Sequence, residues 1–144
     1  MPVVNFHLIE GMTSFDQDEK LLVGACRLYA EVLRSPMERV RAFITSHRSE
    51  QFAVSGGLVV NNNLHAPYFE FIVLDGRPVE ERHRLLAGFT DLLVEILGVR
   101  RELVRGSCRR IEPQDWAIGG EPASILRKDE VEERAKAALM KKSF

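Results

Sequence analysis

Met1 is followed directly by Pro2. A methionine before a small residue such as proline is normally trimmed during synthesis, and trimming would leave Pro2 with a free secondary amine. No internal residue can supply such a base. An amino-terminal amine has a reference pKa of about 7.7–8.0, and burial or adjacent cations lower it toward neutrality, where a general base is most useful. A proline amine is intrinsically more basic. Taken singly, the other candidates have plainer readings. Arg41 and Arg105 are charges at strand ends, and Phe52 and Trp116 are lids on a core. His7, His47, His65 and His83 show no metal-ligand spacing, so no metal is expected. Cys26 and Cys108 form no CxxC pair and read as small apolar fillers in a reducing compartment. Gly119-Gly120 is no phosphate loop, because no lysine follows it.

The elements that must position Pro2 are written twice. Pro2 to Gly11 recurs as Pro67 to Gly76 at an offset of 65, and beyond a single-residue deletion the offset becomes 64. Phe52-Ala53-Val54 then answers to Trp116-Ala117-Ile118. Each half reads strand, helix, strand. Val4, Phe6 and Leu8 alternate with Val3, Asn5, His7 and Ile9, as Phe69, Phe71 and Val73 do in the second copy. Leu21, Leu22, Ala25, Leu28, Tyr29, Val32 and Leu33 share one helix face, and their partners 64 residues on are apolar at every position. Thr13 or Ser14 suits the cap of the first helix and Pro78 the start of the second. Second strands are expected from about Arg39 to His47 and from about Leu103 to Ile111.

These patterns predict an α/β (α+β) fold: two tandem βαβ units forming one four-stranded mixed sheet with two helices on one face. The first repeat covers residues 2–60, a polar linker 61–66, the second repeat 67–124, and a helical tail 125–144. The whole makes a single structural domain, since a half of this size would be marginal alone. The tail carries a weak stripe of Val131, Ala135, Ala138 and Leu139 and is expected across a neighbour or the sheet edge. Its charged stretch from Arg127 to Arg134 reads as a solvated helix face. The bare sheet face would be half apolar through Phe43, His7 and Ile72, which points to oligomerisation. A net charge of −1 gives no reason to expect nucleic acid or an anionic membrane as partner. Neither a signal peptide nor a membrane span is legible, so a cytoplasmic location is expected.

Pro2 to Gly57 resembles an oxalocrotonate tautomerase subunit: an amino-terminal proline, a strand ending in Leu8-Ile9-Glu10-Gly11, an amphipathic helix, then Pro36-Met37-Glu38-Arg39-Val40-Arg41. Pro67 to Gly120 resembles a second copy ending in Asp115-Trp116-Ala117-Ile118-Gly119-Gly120. The chain is thus similar to fused members of the tautomerase superfamily, and that resemblance implies a homotrimer. It also implies roles. The catalytic proline falls on Pro2. The arginine after the first strand's glycine falls on Met12, a departure, and on Arg77, a match. The arginine at the start of the second strand is met by Arg41 and Arg105, and the site aromatic by Phe52 and Trp116. Pro67 follows Ala66, so its nitrogen is an amide and no base. The implied function is a cofactor-independent keto–enol tautomerase of a small 2-hydroxy-dienoate or enolpyruvate acid. Hydration, dehalogenation or decarboxylation of a 3-carbon acid is an alternative on the same site. A non-catalytic trimer is another, supported by Met12 and the diverged Gly106-Ser107-Cys108 segment.

Overall fold

The computed structural model describes residues 2–143, so Met1 lies outside the described residues. The first half runs β1 (Val3–Ile9), α1 (Phe15–Leu33), β2 (Arg41–His47), the short hairpin β3 (Ala53–Val54) and β4 (Gly57–Leu58), and one turn of helix, α2 (Val59–Asn62). The second half repeats it: β5 (Tyr68–Leu74), α3 (Val79–Leu97), β6 (Arg105–Ile111), the hairpin β7 (Ala117–Ile118) and β8 (Glu121–Pro122), and α4 (Ala123–Leu126). A final helix, α5 (Lys128–Ser143), has no counterpart in the first half. None of these helices is long and apolar enough to cross a membrane.

The four long strands form one mixed sheet in the order β2-β1-β5-β6. β1 pairs parallel with β2, β5 pairs parallel with β6, and the two halves meet through an antiparallel β1–β5 seam. The outer strands begin at Arg41 and Arg105, two residues later than the apolar pattern suggests. A 3₁₀ turn at Met37–Arg39 and another at Arg101–Leu103 take the first of those two residues, and Val40 and Val104 close the turns.

Alternation along β1 and β5 sends Val4, Phe6, Leu8, Phe69, Phe71 and Val73 to one face, where α1 and α3 cover them. Phe89 of α3 reaches over the seam and packs edge-on against Phe6, Phe69, Phe71 and Tyr29, with ring centroids 5.2–5.9 Å apart. Edge-to-face packing suits the ring quadrupoles, so this cluster adds to the plain burial of each side chain. The Tyr29 hydroxyl donates to the Ile72 carbonyl, and burial pushes its pKa up, which keeps it a neutral donor.

Size compensation adjusts the two halves to one core. Val4 stands beside Ala42 in the β1–β2 ladder, and the equivalent pair in the β5–β6 ladder is Phe69 beside Gly106. The larger ring of Phe69 takes the space that a β-carbon at Gly106 would need, which would lie 2.1 Å from Phe69 Cζ.

Ser14 caps α1: its hydroxyl accepts from the Gln17 backbone N–H, and the Gln17 side chain accepts from the Ser14 N–H. This reciprocal arrangement satisfies two donors that the helix itself leaves unpaired. Ser14→Ala is expected to lower stability by about 1 kcal/mol, read as a lower urea midpoint at unchanged slope.

Candidate active site

The antiparallel seam decides which residues meet Pro2. Val4 lies opposite Phe71 and His7 opposite Tyr68, so the start of β1 runs beside the end of β5. Pro2 is buried there, and its carbonyl accepts from the Arg41 N–H at 2.9 Å, one step before the β1–β2 ladder begins. Beyond β5, Gly76 turns the chain at φ 103° and delivers Arg77 to the same corner. The mirror-related corner is built from Pro67, buried at the start of β5, and from the turn after β1 that carries Met12. One corner therefore pairs Pro2 with an arginine, and the other pairs an internal proline with a methionine.

A recess of about 350 Å³, counted with its open mouth, lies at the Pro2 corner. Its charged lining is Arg39, Arg77, Glu130 and Arg134, with Ile72, Val73 and Leu74 beside Pro2. The Arg77 side chain is 13% exposed; its Nη1 donates to the Leu33 carbonyl at 2.7 Å and stands 3.3 Å from Glu81 Oε1. Leu33 is the last residue of α1, and a cation at a helix C-terminus is favourable. Arg39 Nη1 lies 3.4 and 3.5 Å from the two carboxylate oxygens of Glu130. Arg134 Nη2 lies 3.8 Å from Glu130 Oε2. Burial, then the nearby Arg77 guanidinium, pulls the Arg134 pKa below its ordinary value, with Glu130 and Glu81 acting in the opposite direction. Three guanidinium groups and a buried proline thus share one recess.

Of the residues singled out in the sequence, the fold brings Pro2 and Arg77 together. Arg41 and Arg105 stand exposed at the first residues of the edge strands. Each folds back on its own turn: Arg41 Nη1 donates to the Glu38 and Val40 carbonyls at 3.1 and 3.4 Å, and Arg105 Nη1 to those of Glu102 and Val104 at 2.7 and 3.0 Å. Phe52 and Trp116 lie half-buried just before the two hairpins, Phe52 edge-on to His47 at 5.6 Å. The Trp116 indole N–H is shut from solvent without an acceptor among the described residues. Within one chain none of these four lines the Pro2 recess.

Arg39, Glu130 and Arg134 are the site residues that sequence reasoning passed over. Arg39 stands inside the Pro36–Arg41 motif and carries the wrong parity for the strand it precedes. Glu130 and Arg134 belong to a helix read as solvated, whereas α5 folds back onto its own chain and its Arg134 meets the Gly76 turn. Their i, i+4 spacing is the available signal, and it marks a helical ion pair without saying what the pair faces.

The opposite sheet face is uncovered and carries a polar chain. His7 Nδ1 is 2.8 Å from His47 Nε2, His7 Nε2 is 3.1 Å from Glu70 Oε1, and Thr45 donates to Asn5 at 2.9 Å. The His7 contact holds the Glu70 pKa below its usual value.

This arrangement of doubled βαβ units is a known one. Native fused 4-OT superposes with a TM-score of 0.80 at 20% identity, over 87% of this chain and 98% of that one. F6 fused 4-OT, solved as an asymmetric trimer, gives 0.78 at 21% identity, over 86% and 98%. The fold is therefore that of the fused tautomerases. No family sequence profile matches the chain. Probable tautomerase K2 of Dickeya dadantii (strain 3937) is 36% identical over 56 residues, which are 39% of this chain and 84% of that protein. The chain belongs to the tautomerase family of enzymes.

Proposed function

We propose that this protein is a cofactor-independent keto–enol tautomerase of a small 2-hydroxy-dienoate or enolpyruvate acid, with Pro2 as general base once Met1 is removed. The observation that carries this reading is the sorting of the two corners: the proline able to become an amine shares its recess with Arg77, and the internal proline lies at the end of the seam where the turn carries Met12. The Pro2 nitrogen takes the proton of the 2-hydroxyl, the C2–O bond becomes a carbonyl, and the ammonium returns a proton to carbon as the double bond moves. A guanidinium beside the oxygen stabilises the negative charge that develops there. Neighbouring cations and burial disfavour the ammonium, which favours the amine as the resting base.

The reading includes a homotrimer. The half-apolar sheet face lacks a cover, Phe43 is 46% exposed on it, and the β3–β4 and β7–β8 hairpins form two-stranded sheets apart from the main one. A neighbouring subunit would bring Arg41 or Arg105, and Phe52 or Trp116, toward the Pro2 recess.

Both features that favour a non-catalytic trimer have another account. Met12 belongs to the corner of Pro67, and Gly106 makes room for Phe69. Addition of water to a 3-carbon acid has one observation behind it, the carboxylate of Glu130 in the recess. That carboxylate lies against Arg39 and Arg134, which supports a structural ion pair over a water-activating base.

Two measurements in sequence test the proposal. Intact mass of the untagged protein is expected to show loss of Met1, and the same sample is expected to ketonise a 2-hydroxydienoate. Retained methionine, or a demethionylated protein inert toward every enol in a panel, would reject it.

A further inference from the structure

Helix α5 lies outside the repeat, yet it supplies two of the charged groups in the recess. It places an internal carboxylate there. Both oxygens of Glu130 lie within 3.5 Å of Arg39 Nη1, and Oε2 is 3.8 Å from Arg134 on the other side. Two guanidinium groups flanking a carboxylate form the usual setting for an acid ligand. Here the acid is part of the chain. The third guanidinium, Arg77, is tied by the Leu33 carbonyl and by Glu81 rather than by Glu130.

We infer that the Pro2 recess selects acids with a single carboxylate and rejects dicarboxylates, because Glu130 occupies the seat between Arg39 and Arg134 that a second carboxylate would take. The inference rests on the reading of this recess as the substrate site and narrows it to a substrate class. A tethered carboxylate competes at high effective concentration, so a free one must displace it against that advantage. A diacid that leaves Glu130 in place brings its second carboxylate up against a like charge in a confined recess. Discrimination then arises from repulsion of the wrong ligand as much as from attraction of the right one.

Crotonate and fumarate make a matched pair of probes, identical except for a methyl group in place of the second carboxylate. Calorimetric titration of the wild-type protein is expected to show crotonate binding at least about tenfold tighter, the scale of one charged hydrogen bond. Glu130→Gln keeps the shape and removes the charge, and is expected to move the crotonate-to-fumarate ratio toward fumarate by about tenfold or more. Equal affinity for the two acids in the wild type, or a ratio unmoved in Glu130→Gln, overturns the inference. Binding of neither acid overturns it too, because the recess is then no carboxylate seat. Ketonisation of a single-carboxylate 2-hydroxydienoate is measured separately. If it is absent while the binding preference holds, the tautomerase reading fails and the role of Glu130 stands.

Discussion

Pro2→Ala is expected to lower kcat/KM for an enol acid by about 10²- to 10⁴-fold, the contribution of a positioned proton-transfer group, with the oligomer intact. Alanine is also exposed by methionine removal, so the variant keeps an amine at the chain start. What it loses is the secondary amine on a ring whose φ is fixed, and with it both basicity and aim. Pro67→Ala is the control, because the Pro67 nitrogen is an amide, and turnover there is expected to stay at the wild-type level. On the proposed mechanism kcat/KM of the wild type should rise with pH as the Pro2 ammonium loses its proton. Steady-state rates across pH, with light scattering for the assembly, check both statements. Wild-type turnover in Pro2→Ala would remove Pro2 from the mechanism.

The second large effect concerns folding. Gly106→Ala is expected to destabilise the protein by about 1–3 kcal/mol, the usual cost of forcing extra volume into a packed core. The added methyl would stand 2.1–2.5 Å from three atoms of the Phe69 ring. That ring is fully buried between Phe6, Phe71 and Phe89 and has nowhere to swing. β6 is an edge strand and can yield, at the expense of its ladder to β5. The first half shows the remedy, since Val4 beside Ala42 is the same pair with volume moved from one strand to the other. Gly106→Ala combined with Phe69→Val should therefore be more stable than the sum of the single changes predicts, with a coupling of about 0.5–3 kcal/mol. Denaturant midpoints at one fixed protein concentration test this, because the proposed assembly would make apparent stability concentration-dependent. Strict additivity would mean the two positions do not share space.

The repeat made most of the fold legible. Once Leu21, Ala25 and Tyr29 find apolar partners at Leu85, Phe89 and Leu93, the two helices and their common face follow. The match of Arg77 to the family's arginine was legible from the resemblance, and the antiparallel seam supplies the register that sets it beside Pro2. The size exchange between Val4–Ala42 and Phe69–Gly106 was not legible, because it is a relation across a ladder and periodicity along one strand does not contain it. Arg39 and Glu130 stand 91 residues apart, and nothing local to either marks the other. The helix that carries Glu130 is mostly exposed, so its pattern resembles that of a helix facing water on every side.

The corner around Pro67 and Met12 has a consequence for how such a chain can change. On the proposed mechanism, reviving that second site takes two events of different kinds. The backbone must be cut between Ala66 and Pro67 to free an amine, and Met12 must become arginine. A cut alone yields a base with no guanidinium beside it, and the substitution alone places a cation beside an amide. Neither step alone brings activity for selection to keep, so on that mechanism fusion works as a ratchet, and the way back is closed one step at a time.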